Sequence, residues 1–316
     1  MTQAAPAPAA SGSPALIKAI PARHPWRWVT TAVILALAAT FVNTLINNKA
    51  FQWSFMWGHI LDAPILEGAR TTIVITILAM VFGVLLGVVV AVGRLSTNPV
   101  LSGTAWVYTW FFRAVPRLVL LFTVGNLGVL SKTIDLGIPL DWLWNDLFGI
   151  DLTFAFVRLD SNTLVRGFMA GLIGLALSEA AYMAEIVRAG ILSVDTGQAE
   201  AAQALGMSRG LTLRRIVLPQ ALRVIVPPTG NEAIAMLKDT SLLIAVPVTT
   251  ELFFQISAVG SRTFQIFPMF VAACLWYLAM ASLLMVGQYF LERRFARGYT
   301  GKNPAVRVPA GGEGGA

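Results

Sequence analysis

Long apolar runs separated by short polar segments dominate this chain. A membrane-spanning helix needs about 20 mainly apolar residues. Six runs qualify, at residues 28–46, 71–93, 104–130, 167–187, 224–246 and 269–291. None shows the regular alternation that is typical of membrane β-barrel strands. The pattern therefore predicts an all-α membrane protein with six transmembrane helices.

The composition supports this class and leaves the net charge to be explained. Of the residues, 56% are hydrophobic and 12% are charged, whereas soluble domains carry roughly 25% charged residues. A net charge of +7 fits either nucleic-acid binding or a basic excess on one side of a membrane. Cys274 is the single cysteine, and His24 and His59 lie far apart. We therefore expect neither an internal disulfide nor a metal site.

The positions of lysine and arginine decide between the two explanations of the charge. With a cytoplasmic N-terminus, the inner segments hold most of these residues, namely Lys18, Arg23, Arg27, Arg94, Arg188, Arg209, Arg214, Arg215, Arg223, Arg293, Arg294, Arg297, Lys302 and Arg307. The outer segments hold Lys49, Lys132, Arg158 and Arg262, with Arg70 and Arg166 at the border. The positive-inside rule then predicts that both termini are cytoplasmic. The basic charge is explained by membrane topology.

The spans divide the chain into predicted regions. The first run is longer than the apolar core of a cleaved signal peptide, about 7 to 15 residues, so we expect an uncleaved anchor. The regions are a disordered cytoplasmic tail at 1–27, a first transmembrane helix with its outer loop at 28–70, a transmembrane domain at 71–291, and a cytoplasmic tail at 292–316. The transmembrane domain includes a long outer loop at 131–165 and a cytoplasmic hairpin at 193–223.

The polar residues 200–219, with the sequence EAAQALGMSRGLTLRRIVLP, interrupt the apolar pattern. We refer to them as the EAA segment. Asp195 and Ser208 are suited to N-cap two short helices, and Gly206 is suited to the left-handed residue that ends the first helix. The pattern predicts a helix, a tight turn and a second helix that ends near Leu218. By its residues alone, this hairpin fits either a lipid headgroup surface or a partner protein.

The spacing of the EAA segment resembles the EAA motif of ABC importer permeases. Glu200, Ala201 and Ala202 are followed by three residues and Gly206, then by nine residues and Ile216, and finally by Leu218 and Pro219. The flanks at 181–191 and 238–241 resemble the polar amino acid permeases, which handle histidine, glutamate, glutamine, arginine and opines. The resemblance covers roughly residues 71–291. It implies a five-helix permease core, to which the first predicted helix is an addition.

The resemblance also implies partners. The EAA segment would insert into a groove of a separate ABC ATPase subunit, and the residues with this coupling role would be Glu200, Ala201, Ala202, Gly206, Leu211, Ile216 and Pro219. ATP and Mg would bind the partner, since the chain lacks a G-x-x-x-x-G-K-[ST] loop, and no cofactor or catalytic residue is expected here. A second permease copy or a sister permease, an extracytoplasmic solute-binding protein and an amino acid substrate would complete the assembly in the bacterial cytoplasmic membrane.

Charged residues inside the predicted spans are candidates for a substrate pathway, because a charge at membrane depth costs about 2.5 kcal/mol or more. They are Arg113, Arg117, Glu179, Glu185, Glu232, Lys238 and Asp239. The Pro227-Pro228 pair predicts an interrupted helix, which either lines a pore or has only a kink required by packing. The residues assigned to the pathway are Glu185, Asn231, Glu232, Lys238, Asp239, Thr240 and Ser241. For Glu185 and Lys238, substrate contacts and structural ion pairs are both open.

Two features depart from the resembling family. Residues 112–116 resemble its Phe-Arg-Gly-Thr-Pro stretch, but Leu120 stands where a glutamine is common. In the outer loop at 131–165, aspartates alternate with aromatic residues. We expect either an interfacial helix seated by the aromatic rings or a docking surface for a solute-binding protein.

The sequence thus predicts the permease subunit of an ABC importer for a polar amino acid. An alternative is an ion-gradient-driven secondary amino acid transporter that uses its buried carboxylates as a proton relay. A membrane enzyme or an assembly scaffold is a third hypothesis. No nucleophile with a positioned base favours an enzyme. Recovery of an ATPase with the purified chain would discriminate among the three.

Overall fold

A computed structural model of the chain describes residues 25–127, 133–137, 146–149, 155–160, 167–246 and 248–295. The chain divides into two units, Met1–Phe51 and Gln52–Ala316. The first unit contains the apolar helix α1, Pro25–Asn47, and a short 3-10 helix, Lys49–Phe51. Helix α1 begins inside the predicted N-terminal tail, whose residues 1–24 lie outside the described residues.

The second unit is built mainly from helices. Their bounds are α2 Trp53–His59, α3 Ala63–Arg94, α4 Pro99–Ala114, α5 Arg117–Gly125, α6 Phe168–Leu192, α7 Thr196–Ala204, α8 Arg209–Thr212, α9 Leu218–Asp239, α10 Leu252–Thr263 and α11 Ile266–Phe295. A π-helical turn, Leu213–Val217, joins α8 to α9, and a 3-10 helix, Thr240–Ala245, follows α9. The predicted C-terminal tail begins within α11, and residues 296–316 lie outside the described residues.

A two-stranded ribbon adds a β element to the predicted all-α fold. Strands β1, Thr133–Gly137, and β2, Ala155–Asp160, pair antiparallel within the outer loop, with an irregularity between Leu136 and Gly137. The predicted interfacial helix is therefore wrong for these two segments. Residues 133–136 and 157–160 alternate apolar and polar side chains, which favours a strand over a helix.

Four described helices are long and apolar enough to cross a membrane, namely α1, α3, α6 and α11. Helices α4 and α5 would make a fifth span if counted as one, but they are bent by 103° at the break between them. The segment predicted as one span at 104–130 is therefore a bent pair of helices and not one continuous helix. The break follows from Pro116, because a proline forces the preceding residue out of the helical region, and Val115 has an extended backbone.

Helix α6 occupies the centre of the helical packing. In its most apolar stretch 72% of the residues are buried, against 28% in α3 and in α11. Two glycines on α3 allow α6 to approach closely. A Cβ atom on Gly87 would lie 2.6 Å from the Cβ of Met183 and 3.0 Å from the Ala180 carbonyl oxygen. Small residues at helix contacts are typical of membrane proteins, where close backbone approach supplies much of the packing energy.

Helix α9 runs without interruption through Pro227 and Pro228, so the predicted break at these residues is wrong. It packs against α6 and α11, and the side chain of Thr229 donates a 2.8 Å hydrogen bond to the Ile225 carbonyl. Neighbouring helices allow prolines inside membrane helices, because their groups can support the Arg223 and Val224 carbonyls that Pro227 and Pro228 leave without an amide donor. The predicted span at 224–246 is accordingly divided between α9 and the 3-10 helix that follows it.

Candidate functional site

The EAA segment includes the end of α7, the whole of α8, the π-helical turn and the first residues of α9, and side chains cap both α7 and α8. The Asp195 side chain accepts a 2.8 Å hydrogen bond from the Gly197 amide, and the Ser208 hydroxyl accepts one of 3.4 Å from the Leu211 amide. The two predicted caps are confirmed. The second helix does not end near Leu218 as predicted, because it continues through the π-helical turn into α9.

The turn between α7 and α8 depends on the backbone of Gly206. Its φ is +83°, which is the predicted left-handed conformation. The Met207 amide donates to the Ala202 carbonyl at 3.1 Å, and the Gly206 amide donates to the Gln203 carbonyl at 2.9 Å. These two bonds form a Schellman motif. A Cβ at Gly206 would meet no atom within 4 Å, so glycine is required here by the backbone angle and not by space.

The EAA segment leaves most of its assigned residues open to a partner. The exposed ones are Glu200, Ala201, Gly206, Leu211 and Pro219, whereas Ile216 is half-buried and Ala202 is buried. Beside the turn, Leu205 is 85% exposed, and sequence reasoning did not assign it. This side chain is therefore accessible beside the turn.

Arg117, the first residue of α5, joins three helices through an acidic cluster, which we define as Arg117, Glu179, Glu232 and Asp239. Its Nη2 atom lies 3.1 Å from Oε2 of Glu179 on α6 and 3.6 Å from Oε2 of Glu232 on α9. Its Nη1 atom donates to Oδ2 of Asp239 at the end of α9. The guanidinium also lies over the ring of Tyr182, 4.7 Å from its centroid.

Local geometry explains why these residues meet. The bend at Pro116 turns α5 away from α4, and Arg117 is the first residue of α5. Glu232 and Asp239 are seven residues apart on α9, which is nearly two helical turns, so they share one face. The sequence flagged Arg117 and Glu179 as charges at membrane depth but did not assign them to the pathway. Their contacts span 62 and 122 residues of chain, and no local pattern encodes them.

The remaining pathway residues of α9 and its 3-10 extension do not join the acidic cluster. Asn231 accepts a 2.9 Å hydrogen bond from Gln288 of α11. The Lys238 side chain is exposed and makes no hydrogen bond or ion pair within the described part of the chain, and Ser241 bonds to the Lys238 carbonyl at 2.7 Å. Thr240 is buried and lies 3.3 Å from a carboxylate oxygen of Glu251.

Glu185 lies in a separate ion pair. Its Oε1 atom is 3.3 Å from Nη2 of Arg94, and its Oε2 atom is 2.8 Å from Nη2 of Arg188. It also borders a cavity of about 440 Å³ that is lined by Arg94, Trp106, Thr109, Trp110, Arg113, Ala114, Tyr182 and Glu185. Glu185 therefore forms the structural ion pair that was one of its two predicted roles. The same carboxylate also lies at the wall of a cavity.

Glu251 is a buried carboxylate that sequence reasoning missed. It accepts hydrogen bonds from Tyr277 at 2.6 Å and Thr72 at 2.8 Å, and from the amides of Phe253 and Phe254 at 2.7 and 3.3 Å. These donors are neutral, and they tie α3, α10 and α11 together. The position of Glu251 just before α10 was a local signal, since negatively charged side chains are favourable at helix N-termini.

Comparison with known proteins identifies the family. Residues 83–297 match the binding-protein-dependent transport system inner membrane component family. The arginine transport system permease protein ArgU of Corynebacterium glutamicum is 45% identical over 293 residues, which cover 92% of this chain and 87% of ArgU. The L-cystine transport system permease protein TcyB of Bacillus subtilis is 35% identical, with 83% of this chain and 96% of TcyB covered. A crystal structure of an amino acid ABC transporter with histidines superposes with a TM-score of 0.58 at 30% identity, covering 73% of this chain and 94% of that chain. This chain therefore belongs to the family of binding-protein-dependent transport system inner membrane components.

Proposed function

We propose that this chain is the permease subunit of an ABC importer that carries an amino acid across the bacterial cytoplasmic membrane. The exposed, capped EAA segment carries the proposal, because it offers a rigid helical hairpin to a partner at one end of the helical bundle. The similarity to ArgU, to TcyB and to a solved amino acid ABC transporter supports an amino acid as the cargo. ArgU and TcyB are named for different amino acids, so their names do not select one.

Energy for import would come from a separate ATPase that binds ATP and Mg. The turn at Gly206 would enter a groove of that subunit, with Glu200 as a charged anchor and Leu211 and Ile216 as apolar contacts. Helix α9 continues from the EAA segment to the acidic cluster, and this continuity supports a direct mechanical link between the ATPase and the passage. The chain itself would perform no covalent chemistry.

The lysine and arginine distribution supports cytoplasmic termini. With α9 counted as a span, the six predicted spans correspond to α1, α3, the bent pair α4 and α5, α6, α9 and α11. A second copy of this chain or a sister permease would close the pore, and an extracytoplasmic solute-binding protein would deliver the amino acid. The passage would be bordered by Glu185, Asn231, Glu232, Lys238, Asp239, Thr240 and Ser241.

Purification from native membranes followed by reconstitution tests this function. We expect an ABC ATPase to co-purify, and we expect ATP enclosed in the vesicles to drive uptake of an amino acid presented outside with the binding protein. Reproducible absence of an ATPase would contradict the proposal. Uptake by the chain alone, driven by an ion gradient and indifferent to ATP, would instead support a secondary transporter.

Variants at Gly206 test whether this turn couples the ATPase to amino acid uptake. Gly206→Asp should remain inserted in the membrane but lose the ATPase or its coupling to uptake. Gly206→Asn is the matched control, because asparagine has nearly the same size, carries no charge and tolerates the left-handed conformation. It should retain more coupled uptake than Gly206→Asp. Unchanged ATP-driven uptake in Gly206→Asp would remove the proposed role of this turn.

A further inference from the structure

The acidic cluster contains more negative than positive charge. Three carboxylates lie within 4 Å of the single guanidinium of Arg117. Within the described ranges, no second cation forms an ion pair with any of the three. Like charges gathered at membrane depth repel one another and are poorly solvated. The arrangement therefore favours a further cation beside Arg117.

Unused hydrogen-bond acceptors are present as well. The side chain of Glu179 is fully buried, and its Oε1 atom accepts no hydrogen bond, although its Oε2 atom binds Arg117. A buried acceptor without a partner is destabilising and rare in folded proteins. Glu232 lies 3.6 Å from the nearest Arg117 nitrogen, beyond hydrogen-bonding distance. The partly exposed carboxylate of Glu232 is thus available to another donor, and the buried Oε1 atom of Glu179 lacks one.

Two side chains of the acidic cluster are buried and two are partly exposed. The side chains of Glu179 and Arg117 are 0% and 12% exposed, whereas those of Glu232 and Asp239 are 24% and 30% exposed. A soluble cation can therefore reach Glu232 and Asp239 first. The Tyr182 ring packed against Arg117 holds the resident guanidinium in place, since cations are attracted to aromatic faces.

We propose that the acidic cluster is the subsite for the cationic side chain of a basic amino acid, with Arg117 as the resident counter-ion that holds the carboxylates together when the subsite is empty. The inference rests on the proposed function and narrows the cargo from any amino acid to one with a cationic side chain. Guanidinium and ammonium groups carry donors only and form charge-assisted hydrogen bonds with carboxylates. An anionic side chain would be repelled, and a neutral one would leave the excess charge in place.

Binding of amino acids to the purified complex of the permease and its ATPase tests the subsite. The solute-binding protein is omitted, so that it cannot select the ligand. We expect labelled arginine to bind and to be displaced by lysine. Citrulline, which has nearly the same shape as arginine but no charge, should displace it at least about tenfold less well, since a charged hydrogen bond is worth about a factor of ten or more. Glutamate should not displace it.

Variants connect the binding to the cluster. Glu232→Gln should weaken arginine binding by about tenfold, whereas Glu67→Gln, the same change at an exposed residue of α3, should leave it unchanged. The double variant Arg117→Gln with Glu179→Gln removes one charge of each sign, so it keeps the excess negative charge and should still bind arginine. Recovery of each complex by size-exclusion chromatography checks that the variant folds.

The outcomes separate this inference from the proposed function. Equal binding of arginine and citrulline, absence of arginine binding, or wild-type affinity in Glu232→Gln would overturn the subsite, and the excess charge would then be neutralised by bound protons. ATP-driven uptake of a neutral or acidic amino acid alone would overturn the subsite while the importer function stands. A complex that transports no amino acid under ATP would contradict the proposed function itself.

Discussion

The hydroxyl of Tyr277 on α11 donates a 2.6 Å hydrogen bond to Oε1 of Glu251, the carboxylate that precedes α10. The same oxygen accepts a 2.8 Å hydrogen bond from Thr72 of α3. Because Glu251 is fully buried, each donor compensates for the loss of water around its charge. The contact between Tyr277 and Glu251 is thus a point at which three helices depend on one another.

Tyr277→Phe should lower the free energy of unfolding by about 1 kcal/mol, because it removes one hydrogen bond to a buried carboxylate that keeps its other donors. The apparent Tm of the detergent-purified protein measures the effect. Tyr289→Phe is the matched control, since Tyr289 is on the same helix and is exposed. Equal Tm values for the two variants would contradict the stabilising role of this hydrogen bond.

Gly87→Ala should destabilise the contact between α3 and α6. The added Cβ would lie 2.6 Å from the Met183 Cβ and 3.0 Å from a backbone carbonyl, so the two helices must move apart, at a cost of about 1 to 3 kcal/mol. Gly103→Ala on α4 places its Cβ where no atom lies within 4 Å and should leave the Tm unchanged or raised, since alanine favours helices. A Tm for Gly87→Ala at or above that of Gly103→Ala would refute the close packing.

Gly206→Ala should reduce ATP-driven uptake without preventing membrane insertion. Alanine at a φ of +83° costs roughly 1 to 2 kcal/mol, which favours other conformations of the turn. Gly210→Ala, four residues further along, has the same added methyl group in an open position of α8 and should transport nearly as well as the wild type. Uptake per ATP hydrolysed in reconstituted vesicles compares the two, and identical ratios would show that the left-handed turn is not needed for coupling.

Arg94→Gln and Glu185→Gln should be coupled in a double-mutant cycle. The two side chains are each 19% exposed and 3.3 Å apart, so we expect a coupling energy of about 0.5 to 1 kcal/mol in thermal unfolding.

Glu185→Gln should also lower uptake while the ATPase still co-purifies, because we propose that this carboxylate borders the passage. Normal uptake kinetics together with a measurable coupling energy would assign Glu185 to the ion pair alone.

The sequence predicted best those features that depend on a few neighbouring residues. Asp195, Ser208 and Gly206 were expected to cap or end short helices, and they do so, because a cap is an interaction within three or four residues of chain. The apolar runs likewise located α1, α3, α6 and α11, since membrane depth imposes a minimum length on each. Pro116 carried a local signal for the bend that the continuous apolar run obscured.

The acidic cluster and Glu251 required the tertiary structure. Hydrophobic periodicity gives the face of a helix but not the helix that will pack on it, so Arg117 could not be matched with Glu179 or Asp239 in advance. The break predicted at Pro227 and Pro228 was wrong because it, too, depends on which helices pack nearby. Whether a proline interrupts a helix depends on the neighbours that support the freed carbonyl groups, and α6 and α11 flank α9 here.

Helix α9 begins at the π-helical turn of the EAA segment and ends at Asp239 in the acidic cluster. One element thus joins the EAA segment to the acidic cluster, and if both bind the ligands proposed above, thermodynamic linkage applies in both directions. If nucleotide binding to the ATPase changes the affinity of the cluster for a cation by some factor, the cation must change the affinity for nucleotide by the same factor. A cargo-loaded passage would in this way change the affinity of the ATPase for nucleotide.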